Sequence, residues 1–235
     1  MALRLVWKGA DVSRFKILGV CCAALAIAKS QLVSSPAVGT LTQTLAVREE
    51  AGRVILAWSG PIAKPMRDDI GAAIDRFKAD PRRLVVTLNS PGGALDEGHE
   101  VMTAIRDAAQ SRPIDTRVEN GAVCASMCVP IYLLGAQRTA DPAAHFMFHE
   151  ASLDPSAGSE DGRRTLAVNA LARKAIETFV TDVFYESDIG GQRVNARWLR
   201  EMRARIVGRE IWVSAQQLVD EGSGVVDALV PTAAK

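Results

Sequence analysis

The chain has 235 residues, of which 48% are hydrophobic and 5% aromatic, and its 28 Lys and Arg side chains almost balance its 27 Asp and Glu side chains. A chain of this length can bury a substantial core, so one α/β domain is expected. The formal net charge of +1 leaves no basic excess for nucleic acid, and the few aromatic residues offer no stacking surface for single strands. These totals argue against a nucleic-acid-binding protein.

The N-terminus has the pattern of a targeting segment. Basic residues from Arg4 to Lys16 precede an apolar run at positions 17–28, which ends in a small-x-small cleavage pattern. As a helix this run would reach only ~18 Å, less than the ~30 Å hydrocarbon core of a bilayer. Residues 1–28 are therefore predicted to be a secretion signal, with an uncleaved membrane anchor as the alternative. In both cases we expect the protein in the periplasm, or anchored in the inner membrane and facing the periplasm.

The first half of the remaining chain alternates between strand and helix patterns. Residues 29–50 have no sustained period and are predicted to be a linker, with an edge strand as an option, before a folded domain at 51–231. Leu84–Leu88 is an almost continuous apolar run, typical of a strand buried on both faces. Apolar residues at helical spacing precede and follow it. The predicted strands are 53–58, 84–88 and 114–118, and the predicted helices are 64–78 and 94–109.

The second half continues this alternation, which predicts parallel β/α units. An apolar helix is predicted at 124–134, an exposed polar loop at 154–164, and a helix at 214–221 with Ser214 as its N-cap. A long helix is predicted at 166–184. Its apolar residues are expected to face inward: Leu171, Ile176, Phe179, Val180 and Val183. The remaining predicted strands are 137–140, 145–149, 206–213 and 225–230.

Three short motifs follow predicted strands or turns and carry the groups that acyl transfer needs. Asn89-Ser90-Pro91-Gly92-Gly93 is a turn whose glycines allow a substrate backbone to approach closely. Ser126 supplies a hydroxyl nucleophile, and His149 supplies an imidazole that can take its proton. Taken alone, Ser126 is better explained as an N-cap serine and His149 as a structural histidine, and the glycine turn is weak evidence for a site. Their order along the chain favours one acyl-transfer site.

No metal or cofactor site is expected. His145 and His149 are four residues apart, but on a strand this spacing separates them by ~13 Å. The glycine turn lacks both the Gly-x-Gly-x-x-Gly spacing and the Lys-Ser/Thr ending of phosphate-binding loops. His99, on the predicted helix after Gly93, is expected at the surface or at the rim of the site.

Cys124 and Cys128 are the two cysteines outside the N-terminal segment, and they bracket Ser126. In an oxidising compartment two leftover cysteines usually pair. Within a regular helix an i,i+4 pair bridges poorly, whereas a turn at Cys124 makes closure feasible. Two interpretations follow, a local disulfide or two buried thiols.

The three motifs extend to Leu88–Gly93, Ala125-Ser126-Met127 and Met147-Phe148-His149, and a further run, Arg209–Ala215, lies near the C-terminus. Together they resemble the Clp protease proteolytic subunit over about residues 53–230. The resemblance implies a ClpP/crotonase-like α/β fold of stacked ββα units. It implies peptide or unfolded-protein substrates and a homo-oligomer. It further implies that Ser126 is the nucleophile, that His149 is the general base, and that the backbone N–H groups of Gly93 and Met127 form the oxyanion hole.

The chain departs from that family's pattern in four ways. Glu210 stands where the family has an aspartate that orients the histidine, and its extra methylene must be accommodated. The interval from His149 to Glu210 is longer, with the surplus assigned to the predicted loop at 154–164. Cys124 and Cys128 are not part of the pattern. An exported protein also meets no ATP, which argues against an unfoldase partner of the cytosolic kind.

Four functions fit these residues to different degrees. The leading interpretation is an ATP-independent serine peptidase with a Ser126–His149–Glu210 triad. A Ser/Lys dyad with Lys174 as the base is a second enzymatic alternative. A non-catalytic ClpP-like scaffold that binds peptides or assembles at the membrane is a third, favoured by the change to Glu210. A crotonase-type acyl-CoA enzyme is the least favoured, because CoA is not expected outside the cytoplasm.

Overall fold

The computed structural model describes residues 42–152 and 170–231, with side chains omitted for 170–172. The predicted signal or anchor at 1–28 and the predicted loop at 154–164 lie outside these residues. Within the part of the chain that is described, no helix is both long enough and apolar enough to cross a membrane.

Two sheets carry the fold of the described residues. The strands are β1 (Thr44–Glu50), β2 (Arg53–Ser59), β3 (Arg83–Asn89), β4 (Ile114–Val118), β5 (Val123–Ala125), β6 (Arg138–Ala140), β7 (His145–Phe148), β8 (Ile211–Ser214) and β9 (Ala228–Leu229). The larger sheet has the order β1-β2-β3-β4-β6-β9, and the smaller one has the order β5-β7-β8. In the larger sheet every neighbouring pair is parallel except β1 and β2. The parallel β/α arrangement predicted from the sequence is therefore confirmed.

The edge strand β1 extends the sheet beyond the predicted domain start. Thr44–Glu50 pairs along its whole length with β2 in antiparallel register. This part of the predicted linker thus belongs to the folded domain, and the edge strand that the sequence left as an option is present.

Six helices and one π-helical turn accompany the strands. The helices are α1 (Met66–Arg76), α2 (Leu95–Ala109), α3 (Cys128–Leu133), α4 (Ala170–Val183), α5 (Ala196–Arg205) and α6 (Ala215–Asp220), counted within the described residues. The π-helical turn, Phe184–Ile189, continues directly from α4. At the N-terminus of α6, the Ser214 hydroxyl accepts a hydrogen bond from the Gln217 N–H at 3.1 Å, so the predicted N-cap is confirmed.

The main core lies between one face of the larger sheet and the helices. In β3, Leu84, Val86 and Leu88 alternate along the strand and are at most 2% exposed. The helices contribute apolar residues at helical spacing to the same cluster. These include Met66, Ile70 and Ile74 of α1, and Val101, Met102 and Ile105 of α2.

The smaller sheet continues from the carboxyl end of β3. Ser90 forms a parallel bridge with Cys124 of β5, and its N–H donates to the Val123 carbonyl at 2.7 Å. The Ala125 N–H donates in turn to the Ser90 carbonyl at 3.0 Å. The chain after β3 is thereby held against β5 by its backbone, which fixes the glycine turn next to the segment that carries Ser126.

Three predicted elements are corrected by the structure. The predicted strand at 225–230 is reduced to β9, Ala228–Leu229, and two other elements begin later than predicted. The predicted helix at 124–134 starts too early, because Val123–Ala125 forms β5 and the helix begins at Cys128. The predicted strand at 206–213 also starts too early, since β8 begins only at Ile211. In both cases the start of the element depends on which residues pair with a neighbouring strand. The periodicity within a segment does not reveal that pairing.

The inward orientation predicted for the long helix is wrong at three positions. In α4, Ile176 is 42% exposed, Phe179 is 67% exposed and Val183 is 43% exposed. Helical spacing identifies an apolar face but does not say what covers it. Leu171 lies outside the residues whose side chains are described.

Candidate active site

Three parallel strand ends bring the predicted site residues together. β3 is linked to β5 through the parallel Ser90–Cys124 bridge, and β5 pairs in parallel with β7. The carboxyl ends of parallel strands meet at the same edge, where α/β proteins usually bind ligands. The residues that follow these three ends are the Gly92-Gly93 turn, Ser126 and His149.

Ser126 occupies a sharp turn immediately after β5. Its φ of 53° is the only positive φ of a non-glycine residue in the described part of the chain. Such a conformation is uncommon for a residue with a Cβ and occurs preferentially at functional sites. The Ser126 N–H donates to the Met147 carbonyl at 3.0 Å, which holds the turn against β7. The side chain stays partly exposed, so a ligand can reach it.

The hydroxyl of Ser126 lies within hydrogen-bonding distance of an imidazole. Its Oγ is 2.8 Å from Nε2 of His149. Burial lowers the pKa of His149 below its usual range, and the nearby Glu210 carboxylate opposes that shift. The imidazole is therefore mainly neutral at neutral pH, which is the state that can accept the serine proton.

The glycine turn packs directly against Ser126. A Cβ on Gly92 would lie 2.6 Å from the Ser126 Cβ and 2.7 Å from the Ala125 carbonyl oxygen. A Cβ on Gly93 would overlap the Ile62 backbone. Both glycines also have positive φ, so only glycine meets the steric and the conformational requirement here.

Two amide groups beside Ser126 have no acceptor within the described residues. The Ile62 N–H donates to the Gly92 carbonyl, and the Ala94 N–H donates to the Ile62 carbonyl, both at 2.8 Å. The N–H of Gly93, between these two contacts, donates to no described group, and neither does the N–H of Met127. Unpaired amide donors on either side of a nucleophile can bind the oxyanion of a tetrahedral intermediate.

Gly98 is a residue of this site that the sequence analysis missed. It lies in the first turns of α2, and a Cβ there would overlap the Met127 side chain. Met127 is fully buried against Gly98. The missing side chain of Gly98 therefore leaves room for Met127, the residue after the nucleophile, to pack in the core. A glycine within a helix costs about 1 kcal/mol relative to alanine, so its presence there indicates a packing or functional reason. The sequence could have pointed to Gly98 in this way.

Glu210 lies next to His149 through the pairing of two antiparallel strands. Phe148 of β7 pairs with Ile211 of β8, and the neighbouring position on each strand is His149 and Glu210. The carboxylate is exposed, and its Oε2 accepts a hydrogen bond from Trp212 Nε1 at 3.3 Å. Within the described residues no hydrogen bond joins it to the imidazole, so its influence on His149 is electrostatic. Its role in orienting the histidine stays a prediction.

Lys174, the alternative base, is engaged away from the serine. It lies on α4, and its Nζ is 3.2 Å from Oε2 of Glu150. His149 also has a backbone contact with the helical region, because the Tyr185 hydroxyl donates to its carbonyl at 3.2 Å. The partner of the Ser126 hydroxyl is thus an imidazole and not an amine.

The two cysteines around the serine are bonded to each other. The Sγ atoms of Cys124 and Cys128 are 2.17 Å apart, and both residues are fully buried. Because Cys124 lies in β5 and not in the helix, the two Cα atoms approach to 5.2 Å, which suits a disulfide. Among the described residues no group of three or more His, Cys, Asp or Glu side chains is arranged to hold a metal ion.

Curated relatives of this chain carry the name ATP-dependent Clp protease proteolytic subunit 1. The protein of that name from Chlamydia trachomatis serovar D is 28% identical over 140 residues, which are 59% of this chain and 66% of the relative. The protein from Chlamydia muridarum is also 28% identical over 140 residues, with the same coverage. The protein from Chlamydia pneumoniae is 25% identical over 146 residues, which are 61% of this chain and 69% of the relative.

The chain matches just under two thirds of the length of the first of these relatives, at 66%. No protein-family model matches it. The relatives nevertheless carry the name that the motifs around Gly93, Ser126 and His149 indicated, and the resemblance is confirmed. The chain is thus similar to Clp protease proteolytic subunits at 25–28% identity over 59–61% of its length, which supports a ClpP-like family.

Proposed function

We propose that the protein is a serine peptidase that hydrolyses peptide bonds without ATP. The observation that carries this proposal is the 2.8 Å contact between Ser126 Oγ and His149 Nε2. It lies beside two amide donors, those of Gly93 and Met127, that have no acceptor among the described residues. A nucleophile, a base and an oxyanion site are the parts that acyl transfer from a peptide requires.

The proposed reaction proceeds in two steps. Ser126 Oγ attacks the peptide carbonyl carbon while His149 Nε2 takes the hydroxyl proton, and the oxyanion is bound by the amides of Gly93 and Met127. The C–N bond then breaks as His149 returns the proton to the leaving amine, which leaves an acyl ester on Ser126. Water, deprotonated by His149, then attacks the ester carbonyl carbon, and the C–O bond to Ser126 breaks as His149 returns the proton to Oγ and the carboxylic acid product leaves. The Glu210 carboxylate stabilises the imidazolium that forms in both steps.

The proposed location is outside the cytoplasm, where ATP is absent. The proposed substrates there are peptides or unfolded segments. Two observations support this location: the targeting pattern at residues 1–28 and the Cys124–Cys128 disulfide. Disulfides persist in oxidising compartments and are rare in reducing ones. Attachment to the membrane through the N-terminal segment is part of the same proposal.

Self-association and the ββα architecture complete the proposal. The apolar face of α4, with Ile176, Phe179 and Val183 exposed, is the kind of surface that another copy of the chain covers. The parallel sheet, its covering helices and the smaller sheet at its edge are consistent with the stacked ββα units of a ClpP/crotonase-like fold.

An activity-based probe tests the proposal directly. We expect a fluorophosphonate to label the wild-type protein at Ser126, and to label neither Ser126→Ala nor His149→Ala. The matched control is His99→Ala, because His99 lies on α2 and contacts Asp188 at 2.9 Å instead of the serine. Absence of labelling in the wild-type protein, at any pH from 6 to 9, would refute the proposed peptidase. Labelling that survives His149→Ala but not Lys174→Ala would favour a dyad.

A peptide-binding scaffold without turnover is the second candidate. It is favoured by one observation, the exposed Glu210 carboxylate that hydrogen-bonds Trp212 and not His149. Saturable binding of an unfolded polypeptide, with no cleavage and no probe labelling, would support the scaffold over the peptidase.

A further inference from the structure

Glu150, the residue after His149, makes an unusual set of contacts. Its Oε2 accepts a hydrogen bond from the backbone N–H of Gly208 at 2.9 Å and from Lys174 Nζ at 3.2 Å. Its Oε1 lies 3.9 Å from Arg203. Only 15% of the side chain is exposed, although the residue carries a charge. A single carboxylate thus connects the His149 segment, α4, α5 and the loop that precedes β8.

The loop that Glu150 holds is the one that carries Glu210. This loop, residues 206–210, runs from the end of α5 to the start of β8. Gly208 turns it with a φ of +68°, and the Arg209 N–H closes the turn on the Ile206 carbonyl at 3.0 Å. A Cβ on Gly208 would meet no atom within 4 Å, so the loop is not fixed there by packing. The Glu150–Gly208 hydrogen bond ties the loop to the His149 segment two residues before Glu210, and the Phe148–Ile211 strand pair does so one residue after it.

The backbone contact is the stronger of the carboxylate's interactions. Hydrogen bonds from a backbone N–H to an ionised carboxylate are short and strong, whereas an exposed ion pair such as that with Lys174 contributes little. The Gly208 N–H is the largest cause that keeps the pKa of Glu150 below its usual range, burial opposes it, and Lys174 adds to the lowering. The carboxylate therefore stays ionised, and a full acceptor, through the neutral pH range.

We propose that Glu150 is a positioning residue for the His149–Glu210 pair, a role that rests on the proposed peptidase function. Its carboxylate holds Gly208, and through the two residues that follow it keeps the Glu210 charge beside the imidazole. His149 itself has two hydrogen bonds that do not involve the Glu150 side chain, from Tyr185 at its carbonyl and with Ser126 at Nε2. Loss of Glu150 therefore displaces Glu210 and leaves the nucleophile–base contact in place.

The expected consequence is a loss of turnover with little loss of binding. We expect Glu150→Ala to lower kcat about tenfold and to leave KM within about twofold, because a displaced charge affects the imidazolium that forms only during reaction. The Glu210 charge opposes the lowering of the His149 pKa, so its displacement lowers that pKa further. The acid limb of the kcat/KM profile should move to lower pH in Glu150→Ala and in Glu210→Gln alike.

Three further variants separate positioning from charge and from folding. The charged groups around Glu150 and His149 in the described structure are Lys174 and Glu177 of α4, Arg203 of α5, and Arg209 and Glu210 before β8. Glu150→Gln removes the charge but keeps an acceptor for Gly208, so it should restore kcat to within about threefold of wild type. Lys174→Met removes only the ion pair and should leave kcat and the pH profile unchanged. The double variant Glu150→Ala/Glu210→Gln should be no slower than Glu210→Gln alone.

The outcomes distinguish this proposal from the one on which it rests. A wild-type protein that the fluorophosphonate does not label refutes the peptidase itself. With an active wild type, multiplicative losses in the double variant would overturn the positioning role, since the two residues would then act separately. Equal losses in Glu150→Gln and Glu150→Ala, or a loss in Lys174→Met as large as in Glu150→Ala, would overturn it as well. Thermal unfolding of each variant identifies any that lose activity through unfolding.

Discussion

The two halves of the candidate site are held in place by different means. Around Ser126 the contacts are between backbones: Ser90 pairs with β5, and the Ser126 N–H donates to the Met147 carbonyl. The neighbouring side chains of Cys124 and Met127 are fully buried. Around Glu210 the backbone pairing ends at Ile211, and the exposed carboxylate itself is held by a side-chain contact with Trp212.

This difference predicts two kinds of response to substitution. A half that is fixed by strand pairing and by core packing tolerates changes of side-chain charge but has no space for an added atom. A half that is fixed by single polar contacts should lose function gradually, because one such hydrogen bond contributes only about 1 kcal/mol. Changes near Ser126 should therefore be nearly all-or-none, and changes near Glu210 should be graded.

The largest effect is expected at Gly93. In Gly93→Ala the new Cβ overlaps the Ile62 backbone, so the turn must move and carry its amide donor away from the oxyanion. Loss of one such donor lowers kcat about 100- to 1,000-fold. Peptide hydrolysis and probe labelling rates measure this. Gly222→Ala is the matched control, because Gly222 also has positive φ but a Cβ there meets nothing within 4 Å. A Gly93→Ala protein with wild-type rates would contradict the rigid-turn view.

A smaller and pH-dependent effect is expected at Glu210. A buried, hydrogen-bonded triad carboxylate contributes about 10⁴-fold to kcat. Because Glu210 is exposed and acts at a distance, Glu210→Gln should cost only about 10- to 100-fold. His149 must be neutral to act as the base, so activity rises with pH through its pKa. Removing the Glu210 charge lowers that pKa, and the acid limb of the kcat/KM profile should shift to lower pH.

Kinetics from pH 5 to 9 measure the Glu210 effect. Glu201→Gln, on the exposed surface of α5, is the matched control and should leave both the rate and the profile unchanged. A shift of the acid limb to higher pH would contradict the electrostatic role assigned to Glu210.

The sequence predicted the Ser126 half better than the Glu210 half for the same reason. Long β-branched runs and glycines after strand ends are local signals, so β3, the turn at Gly93 and the position of His149 followed from the residues alone. Helix α5 was missed, although Asn195 caps it by accepting from the Arg197 N–H at 2.9 Å. Its charged residues dilute the apolar pattern that Trp198 and Met202 form.

Contacts between distant side chains were outside the reach of the sequence. The Glu150–Gly208 hydrogen bond joins residues 58 positions apart, and no local sequence pattern predicts it. The exposure of Phe179 could not be predicted either, because apolar spacing identifies one face of a helix but not what packs against that face. The sequence left open whether Cys124 and Cys128 form a disulfide. The structure places Cys124 in β5 and not in the helix, which allows the two to bond.

An intermediate effect, on stability more than on chemistry, is expected for the disulfide. Cys124 and Cys128 close a loop of sequence separation 4, for which the loop-entropy relation gives about 2 kcal/mol. Cys124→Ala/Cys128→Ala should lower the free energy of unfolding by that amount, as measured by urea titration. Wild-type protein in excess dithiothreitol is the control and should show the same loss. A loss near zero would mean that strand pairing alone fixes the Ser126 turn.

The smallest effect on the single chain is expected at Phe179. Because this side chain is 67% exposed on α4, Phe179→Ser should change the free energy of unfolding of the dilute monomer by no more than about 0.5 kcal/mol. The same change should weaken self-association, seen as a lower mass in sedimentation at a fixed concentration. Ala175→Ser, at another exposed position of α4, is the matched control.

A loss of monomer stability several times larger in Phe179→Ser would mean that part of the same chain covers the residue, and an unchanged mass would remove α4 from the interface. The outcome bears on the Glu210 half, because α4 also contacts the segment after His149. The Ala151 N–H donates to Thr181 at 2.9 Å, and Glu150 pairs with Lys174. An assembly that packs on Phe179 would therefore stabilise α4, the helix that provides Thr181 and Lys174 to these contacts beside His149. It would leave the backbone-defined Ser126 turn unchanged.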